Sequence, residues 1–400
     1  MDFSLSKEQL EIQEWSRKFF EETIAPLANT HSREKISTTT LEKLSREGFM
    51  TMIVPEKFGG LGLDSISLSL ALQEISKVCG SVGVTVAVTN MIADILVREG
   101  TDAQREKFLS ELVSGKSLTA SFCLTENSSG SDAGALKTSA KKISEKGLGE
   151  NSEGFEISGE KIYVTNGVFS NFFLVMARSL DLSGTKGVSA FLVERDRAGV
   201  VLGKEEDKMG LTGSSTIRMS FDGVKIPKEN LVQAEGEGFK IAMRALDGGR
   251  ISVASQALGI AKAALKAGVT YAKEREQFGK PIADFQAIQW KIADAATSIA
   301  AAEALIMRAA SMKNVAAAQK NTTGASVLSF TLEASMAKLY ATEMAMRVCE
   351  DMLQIHGGYG YTKDYPIERY CRDVRVTSLY EGTSEIQRHV IAREILGKTL

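Results

Sequence analysis

Apolar positions recur every three to four residues over 7–28 and again over 38–48, and near-continuous apolar stretches run from Ile66 to Val78 and from Val82 to Val97. That spacing lines up apolar side chains on one face of a helix. Short Gly/Pro breaks separate the segments, chiefly "VPEKFGGLGLD" at 54–64. Residues 1–117 therefore predict an all-α domain. From Leu118 the period changes to β-branched alternation. "FEISGEKIYVTNG" (155–167) reads as a hairpin turning at Ser158-Gly159, followed by strands at 172–177, 188–195 and 216–224. The polar insert at 141–154 reads as an exposed hairpin tip. Residues 118–235 thus predict a small antiparallel β-barrel or sandwich.

Helices return beyond Gly236 and are long. Ile251, Ala254, Leu258, Ala261 and Leu265 share one face, and "FGKP" (278–281) stops the segment. Alanine-rich helical patterns follow at 284–319 and 326–355, then the break "HGGYGYTKDYP" (356–366) and a last helix at 385–397. Residues 236–400 predict a four-helix bundle. The expected fold class is α+β, with the order helices, strands, helices. With no internal repeat or low-complexity linker, the three segments should pack as one rigid unit, and ligands favour such junctions.

Composition narrows the function classes. Hydrophobic content of 44% and charged content of 24% describe an enzyme-like soluble chain. The net charge of −2 is spread along the sequence and offers no nucleic-acid patch. Cys79, Cys123, Cys349 and Cys371 have no CxxC spacing, and His31, His356 and His389 are scattered, so a reducing compartment and no metal site are expected. The N-terminus lacks a cleavable leader pattern, and no run of about 18 apolar residues is evident, so a cytoplasmic protein without membrane insertion is expected, or a matrix protein that has lost a presequence.

Several stretches could carry chemistry. In "SLYEGTSEIQ" (378–387), Glu381 precedes a Ser384-x-x-Gln387 capping-box pattern. The helix N-terminus should lower its pKa, while Leu379 and Tyr380 should desolvate it and raise it. Glu381 is either a first-turn acid complementing the dipole or a tuned base. "FCLTENSSGSDAG" (122–134) is either a polar turn or a loop of small residues whose amides reach a phosphate. "HGGYG" has the same ambiguity. Arg275 either caps its helix or pairs with phosphate. "LDGGR" (246–250) reads as a turn setting Asp247 and Arg250 either side of two glycines.

Taken in order, "FCLTENSSGSDAG", "KIYVTNG", "DGGR", "REQFGKP", "QIHGGYGY" and "YEGTSEIQR" resemble the acyl-CoA dehydrogenase family over nearly the whole chain. The resemblance is closest to its short-chain (butyryl-CoA) members. It implies FAD as cofactor, a short-chain acyl-CoA as substrate, a homotetramer, and an electron-transferring flavoprotein as acceptor. Glu381 would be the base that removes the α-proton while a hydride leaves the β-carbon. The Glu381 amide and the flavin's ribityl 2′-hydroxyl would hold the thioester oxygen.

The resemblance also assigns the remaining residues. Phe122, Leu124, Thr125, Gly130 and Ser131 would line the flavin and pyrophosphate, Ser131 also meeting CoA. Tyr163 would lie on the flavin face, where many members carry Trp, and Thr165 at its edge. Arg275, Gln277, Phe278, Gln286, Gln354, Gly357 and Gly358 would hold the FAD of a neighbouring subunit, and Thr383 and Glu385 would close the nucleotide end. Asp247, Arg250, Tyr380 and Gly382 would contact the substrate or steady the base. Two members with other substrates carry their base one position before the arginine of "DGGR"; here that position is Gly249. Asn127 stands where the flavin loop usually has proline, which should loosen it, and the 141–154 insert is longer than usual.

Three other readings fit the same residues. The site could run as an enoyl-CoA reductase, since flavin potential sets direction. It could serve a flavin oxidase or monooxygenase, although a nitroalkane oxidase should carry aspartate at 381. Outside enzymes, a catalytically silent CoA- or flavin-binding scaffold is the rival.

Overall fold

The computed structural model describes residues 4–28, 34–145, 148, 152–320 and 329–397. The N-terminal helices are α1 (Lys7–Phe19), α2 (Thr38–Arg46), α3 (Ser65–Val78) and α4 (Gly80–Glu99), followed by the short α5 (Asp102–Gln104) and α6 (Ser110–Val113). Serine or aspartate starts the first three: Ser6, Ser37 and Asp64 each accept a backbone N–H of the first turn. Trp15 stacks on Phe49 with ring centroids 4.1 Å apart, closing the core beneath α1.

Among the described residues, α4 alone is long and apolar enough to cross a membrane, where the sequence showed no such run. Its lysine- and arginine-free stretch is buried inside the protein instead, against α3 and the strand β1 (Thr119–Cys123).

The middle segment forms an eight-stranded sheet. Its further strands are β2 (Ser139–Ser144), β3 (Glu153–Thr165), β4 (Ser170–Arg178), β5 (Val188–Glu194), β6 (Val200–Glu205), β7 (Thr216–Pro227) and β8 (Leu231–Val232). The order is β6-β7-β3-β2-β4-β5-β8, with β1 parallel alongside β4 and β2 meeting β4 in parallel. It is therefore a mixed sheet and not a closed antiparallel barrel. It bends so that β3 and β7 face β4 and β5, and the Phe155 and Phe191 rings meet across the fold at 4.9 Å. The other face of β4 and β5 packs on α4.

No hairpin turns at Ser158-Gly159: β3 runs through it, and Gly159 instead makes a bulge against β7. Its φ of +148° and a Cβ position 2.6 Å from the Thr138 hydroxyl leave room only for glycine. The β2–β3 hairpin closes at Ser144 opposite Glu153, and residues 146–147 and 149–151 of the predicted tip at 141–154 lie outside the described residues.

The C-terminal helices are α7 (Gly238–Glu274), α8 (Gln286–Lys320), α9 (Thr331–His356), α10 (Ile367–Arg375) and α11 (Ser384–Leu396). The predicted start of the third helix at 326 falls outside the described residues. Alanines on α7, α8 and α9 meet in the bundle core. The expected turn at 246–250 is absent because α7 passes straight through both glycines. Each glycine costs a helix roughly 1 kcal/mol against alanine, and the neighbours packed against them explain their presence below. The N-terminal and C-terminal segments interlock where α3 crosses α7: Ser69 and Ser255 hydroxyls lie 2.7 Å apart, and a Cβ on Gly259 would meet the Gln73 carbonyl at 2.4 Å.

Candidate functional site

The segment between α10 and α11 carries Glu381 and Gly382 in consecutive left-handed conformations, φ +56° and +91°. For a non-glycine residue that costs roughly 1–2 kcal/mol. Side chains from two helices offset it. Gln387 of α11 donates to the Glu381 and Gly382 carbonyls at 3.2 and 3.0 Å, and Lys338 of α9 donates to Gly382 at 2.7 Å. The expected Ser384–Gln387 capping box does not form. Thr383 is the cap, its hydroxyl accepting from Ile386 N–H, because the left-handed Gly382 delivers residue 383 in extended geometry. Ser384 Oγ is buried without a hydrogen-bond partner.

Of the two opposing effects expected on Glu381, desolvation prevails. Burial pushes its pKa up to about 7, against the pull of Arg250 and Lys338. Oε2 is shut from solvent with no hydrogen-bond partner, which normally costs a carboxylate heavily. Gly249 of α7 lies directly beneath: a Cβ there would sit 2.6 Å from Oε2 and 3.2 Å from Met91 Sδ. Next to it on α7, Arg250 Nη1 donates to Asp247 Oδ1 at 2.6 Å and to Ser335 at 3.2 Å, while Thr331 donates to Asp247 Oδ2 at 2.6 Å. Burial raises the Asp247 pKa despite that arginine. The Tyr380 hydroxyl donates to Gln256, which donates in turn to the Gly80 carbonyl at 2.9 Å. Glu381, Tyr380, Gly382, Asp247 and Arg250 thus converge where α4, α7 and α9 meet.

A second group sits at the sheet. Phe122 is the penultimate residue of β1, and Leu124, Thr125, Gly130 and Ser131 lie in the loop that follows. Asn127 sits at the tip of a tight turn closed by paired backbone bonds between Glu126 and Ser129. β3 is tied to this loop by the Ile162 N–H to the Thr125 carbonyl at 2.9 Å. That brings Tyr163 and Thr165 alongside. Tyr163 is left-handed (φ +56°) and 61% exposed.

A third group lies at the far end of α7. Arg275, Gln277, Gly357 and Gly358 line one cavity of about 520 Å³, with the Arg275 guanidinium 5.7 Å from the Tyr359 ring centroid. Phe278 projects nearby, 93% exposed at φ +54°, while Gln286 and Gln354 are exposed at the adjoining helix ends. Twenty-five residues of helix, roughly 37 Å at 1.5 Å per residue, separate Arg275 from Arg250. One chain does not bring this group to Glu381. Thr383 is engaged as a helix cap, and Glu385 points to solvent in the first turn of α11.

Family models match three consecutive stretches: "Acyl-CoA dehydrogenase, N-terminal domain" over residues 6–116, the middle domain over 121–224, and the C-terminal domain over 236–396. The chain belongs to the acyl-CoA dehydrogenase family. It is an FAD-dependent oxidoreductase acting on the CH–CH group of acyl-CoA thioesters. It is 38% identical to a Clostridium acetobutylicum protein named "Acyl-CoA dehydrogenase, short-chain specific", covering 99% of this chain and all of that one. The structure of butyryl-CoA dehydrogenase from Megasphaera elsdenii superposes with a TM-score of 0.91 at 38% identity, over 99% of this chain and all of that one. A chain from "Electron transferring flavoprotein of Acidaminococcus fermentans: Towards a mechanism of flavin-based electron bifurcation" superposes at 0.92 with 41% identity over the full length of both.

The residues present in this acyl-CoA dehydrogenase suit FAD. At the sheet, an exposed tyrosine ring in a strained conformation adjoins a loop where a Cβ on Gly130 would meet nothing within 4 Å, leaving backbone open to a phosphate. At the far end of α7, Gly279, Gly357 and Gly358 are equally open beside an arginine.

Sequence reasoning missed three lysine and glutamate positions. Lys161 is fully buried, donating to Glu126 at 2.7 Å and to the Leu124 carbonyl at 3.0 Å; Glu126 also accepts from the Lys137 and Thr138 amides at 2.6 and 2.9 Å. This pair braces the 124–131 loop against β3. The third is Lys338, whose signal was its place among Ala334, Ala337 and Ala341 on the buried stripe of α9.

Proposed function

We propose that the enzyme desaturates short-chain acyl-CoA thioesters to trans-2-enoyl-CoA, with Glu381 as the catalytic base and an electron-transferring flavoprotein as acceptor. The observation that carries this is the half-buried Glu381 carboxylate, its Oε2 shut from solvent without a partner and its pKa near 7, walled by Gly249 and Met91. A base that must take a weakly acidic α-proton needs both access and a raised pKa. The resemblance to short-chain relatives supports the substrate class, and the flavoprotein structure supports the acceptor.

In this reading the thioester lies over Gly249 with its α-carbon at Glu381 Oε2. The Glu381 N–H donates to the thioester oxygen as enolate charge grows, which stabilises that charge most in a dry site. The acyl chain displaces water from the pocket and holds the proton on the base once transferred. Asp247 and Arg250 fix the floor of the site and meet the substrate's CoA part. Bound FAD supplies the acceptor for the β-hydride. Phe122, Leu124, Thr125, Gly130, Ser131, Tyr163 and Thr165 would hold it from one subunit. Arg275, Gln277, Phe278, Gln286, Gln354, Gly357 and Gly358 would do so from a neighbour in a homotetramer, with Thr383 and Glu385 at the nucleotide end. Residues 1–117, 118–235 and 236–400 are the working domains, in a cytoplasmic or matrix enzyme.

Anaerobic titration with butyryl-CoA, followed by visible flavin absorbance, tests the proposal. Stoichiometric bleaching that Glu381→Gln abolishes is the expected result. Bound flavin that butyryl-CoA leaves oxidised would overturn the short-chain assignment, and unchanged turnover in Glu381→Gln would overturn the base.

A further inference from the structure

Lys338 is fully buried on α9, and its ammonium donates to the Gly382 carbonyl at 2.7 Å. Burying a cation costs several kcal/mol unless an anion compensates it. The other anions of this junction have partners: Glu343 on α9, which acts on Lys338, pairs with Arg388, and Asp247 on α7 pairs with Arg250. Glu385 on α11 is exposed, and Arg250 on α7 and Arg393 on α11 add positive charge to the same junction. That leaves Glu381, whose Oε2 has no partner. Lys338 does not cap that carboxylate. It binds the next residue's carbonyl, so the Glu381 oxygen keeps its lone pairs unengaged while feeling the charge.

We propose that Lys338 is a positioning residue for the base: its ammonium pins the left-handed Glu381–Gly382 turn and, together with the Arg250 guanidinium, supplies the positive charge that keeps the Glu381 carboxylate ionised in a dry pocket. This rests on the assignment of Glu381 as base. The two groups perturb one another accordingly. Burial pushes Lys338 down to about 8, while the Glu381 charge pulls it back up.

The test is made on the FAD-loaded enzyme with Lys338→Met, Lys338→Gln and Lys338→Arg. The carboxylic-acid stretch of Glu381, identified by its loss in Glu381→Gln, is titrated by difference infrared spectroscopy alongside the pH profile of kcat/KM. Removing the charge should move the Glu381 midpoint and the acid limb upward together by about one pH unit or more. Lys338→Arg should restore both. Lys338→Gln keeps an N–H for the Gly382 carbonyl, so a fold-dependent loss in Lys338→Met does not block the measurement. A fall in kcat with the midpoint unmoved in both neutral variants would overturn the proposal. Because the infrared midpoint is read without turnover, it tests the Lys338–Glu381 coupling even if Glu381→Gln were to retain activity, an outcome that would sink only the base assignment.

Discussion

Replacing Gly249 with alanine should separate stability from catalysis. A Cβ at 249 would lie 2.6 Å from Glu381 Oε2 and 3.1 Å from its Cδ. The carboxylate must retreat by about 0.8 Å to reach ordinary contact. The atom struck is the far end of a flexible side chain, so the fold should survive. Losing a mid-helix glycine should contribute up to about 1 kcal/mol to α7. A 1 Å misplacement at a reacting centre costs about 10²-fold, so flavin reduction should slow roughly 30-fold, close to 2 kcal/mol of barrier. Stopped-flow reduction by butyryl-CoA, paired with urea unfolding, measures both terms. A rate within threefold of the parent enzyme, with stability retained, would mean that Gly249 does not wall the reacting carboxylate.

Since burial holds Glu381 near 7 and the base must be ionised, kcat/KM should fall about tenfold per pH unit below about pH 7 and level off above it; a flat profile down to pH 5 would contradict that. Lys161→Met should cost about 3–5 kcal/mol in urea unfolding by leaving Glu126 buried without its cation, and FAD release should accelerate as the 124–131 loop loosens. Adding Glu126→Gln to that variant, which removes the unpaired charge but keeps an acceptor oxygen for the Lys137 and Thr138 amides, should recover much of the stability but not the FAD affinity. Glu194 offers a pH test of the sheet: burial would raise it, but hydrogen bonds from Arg197 and Lys107 hold it down at about 2. Its folded pKa lies below the unfolded value near 4.5, so its stabilisation is present above pH 4.5 and lost as pH falls toward 2. Glu194→Gln should therefore flatten the acid-denaturation curve in that window.

The long helices and the position of Glu381 were legible because apolar period and a conspicuous carboxylate before a helix are local signals. What failed depended on contacts made far along the chain. Gly248-Gly249 reads as a turn in isolation, yet both glycines exist to let Lys313 and Glu381 approach a continuous helix. Ser158-Gly159 likewise reads as a hairpin, while its glycine serves a bulge beside Thr138. The parallel placement of β1 beside β4 depends on the entry of the chain from α6, which no strand pattern encodes. Lys161 and Lys338 escaped notice because a lysine in a periodic pattern is ordinarily solvated. Only the anion each one faces makes its burial tolerable.

The apolar helix α4 has a consequence for how the protein is made. Its surfaces are covered partly by β1, which follows within about 20 residues, and partly by α7, through contacts such as Gln256 to the Gly80 carbonyl. The end of α7 emerges from the ribosome about 175 residues after the end of α4, which at ordinary synthesis rates is roughly 9–35 s. For that interval the nascent chain displays a segment apolar enough to engage membrane-insertion or chaperone machinery. Its escape depends on the speed with which translation delivers a covering helix.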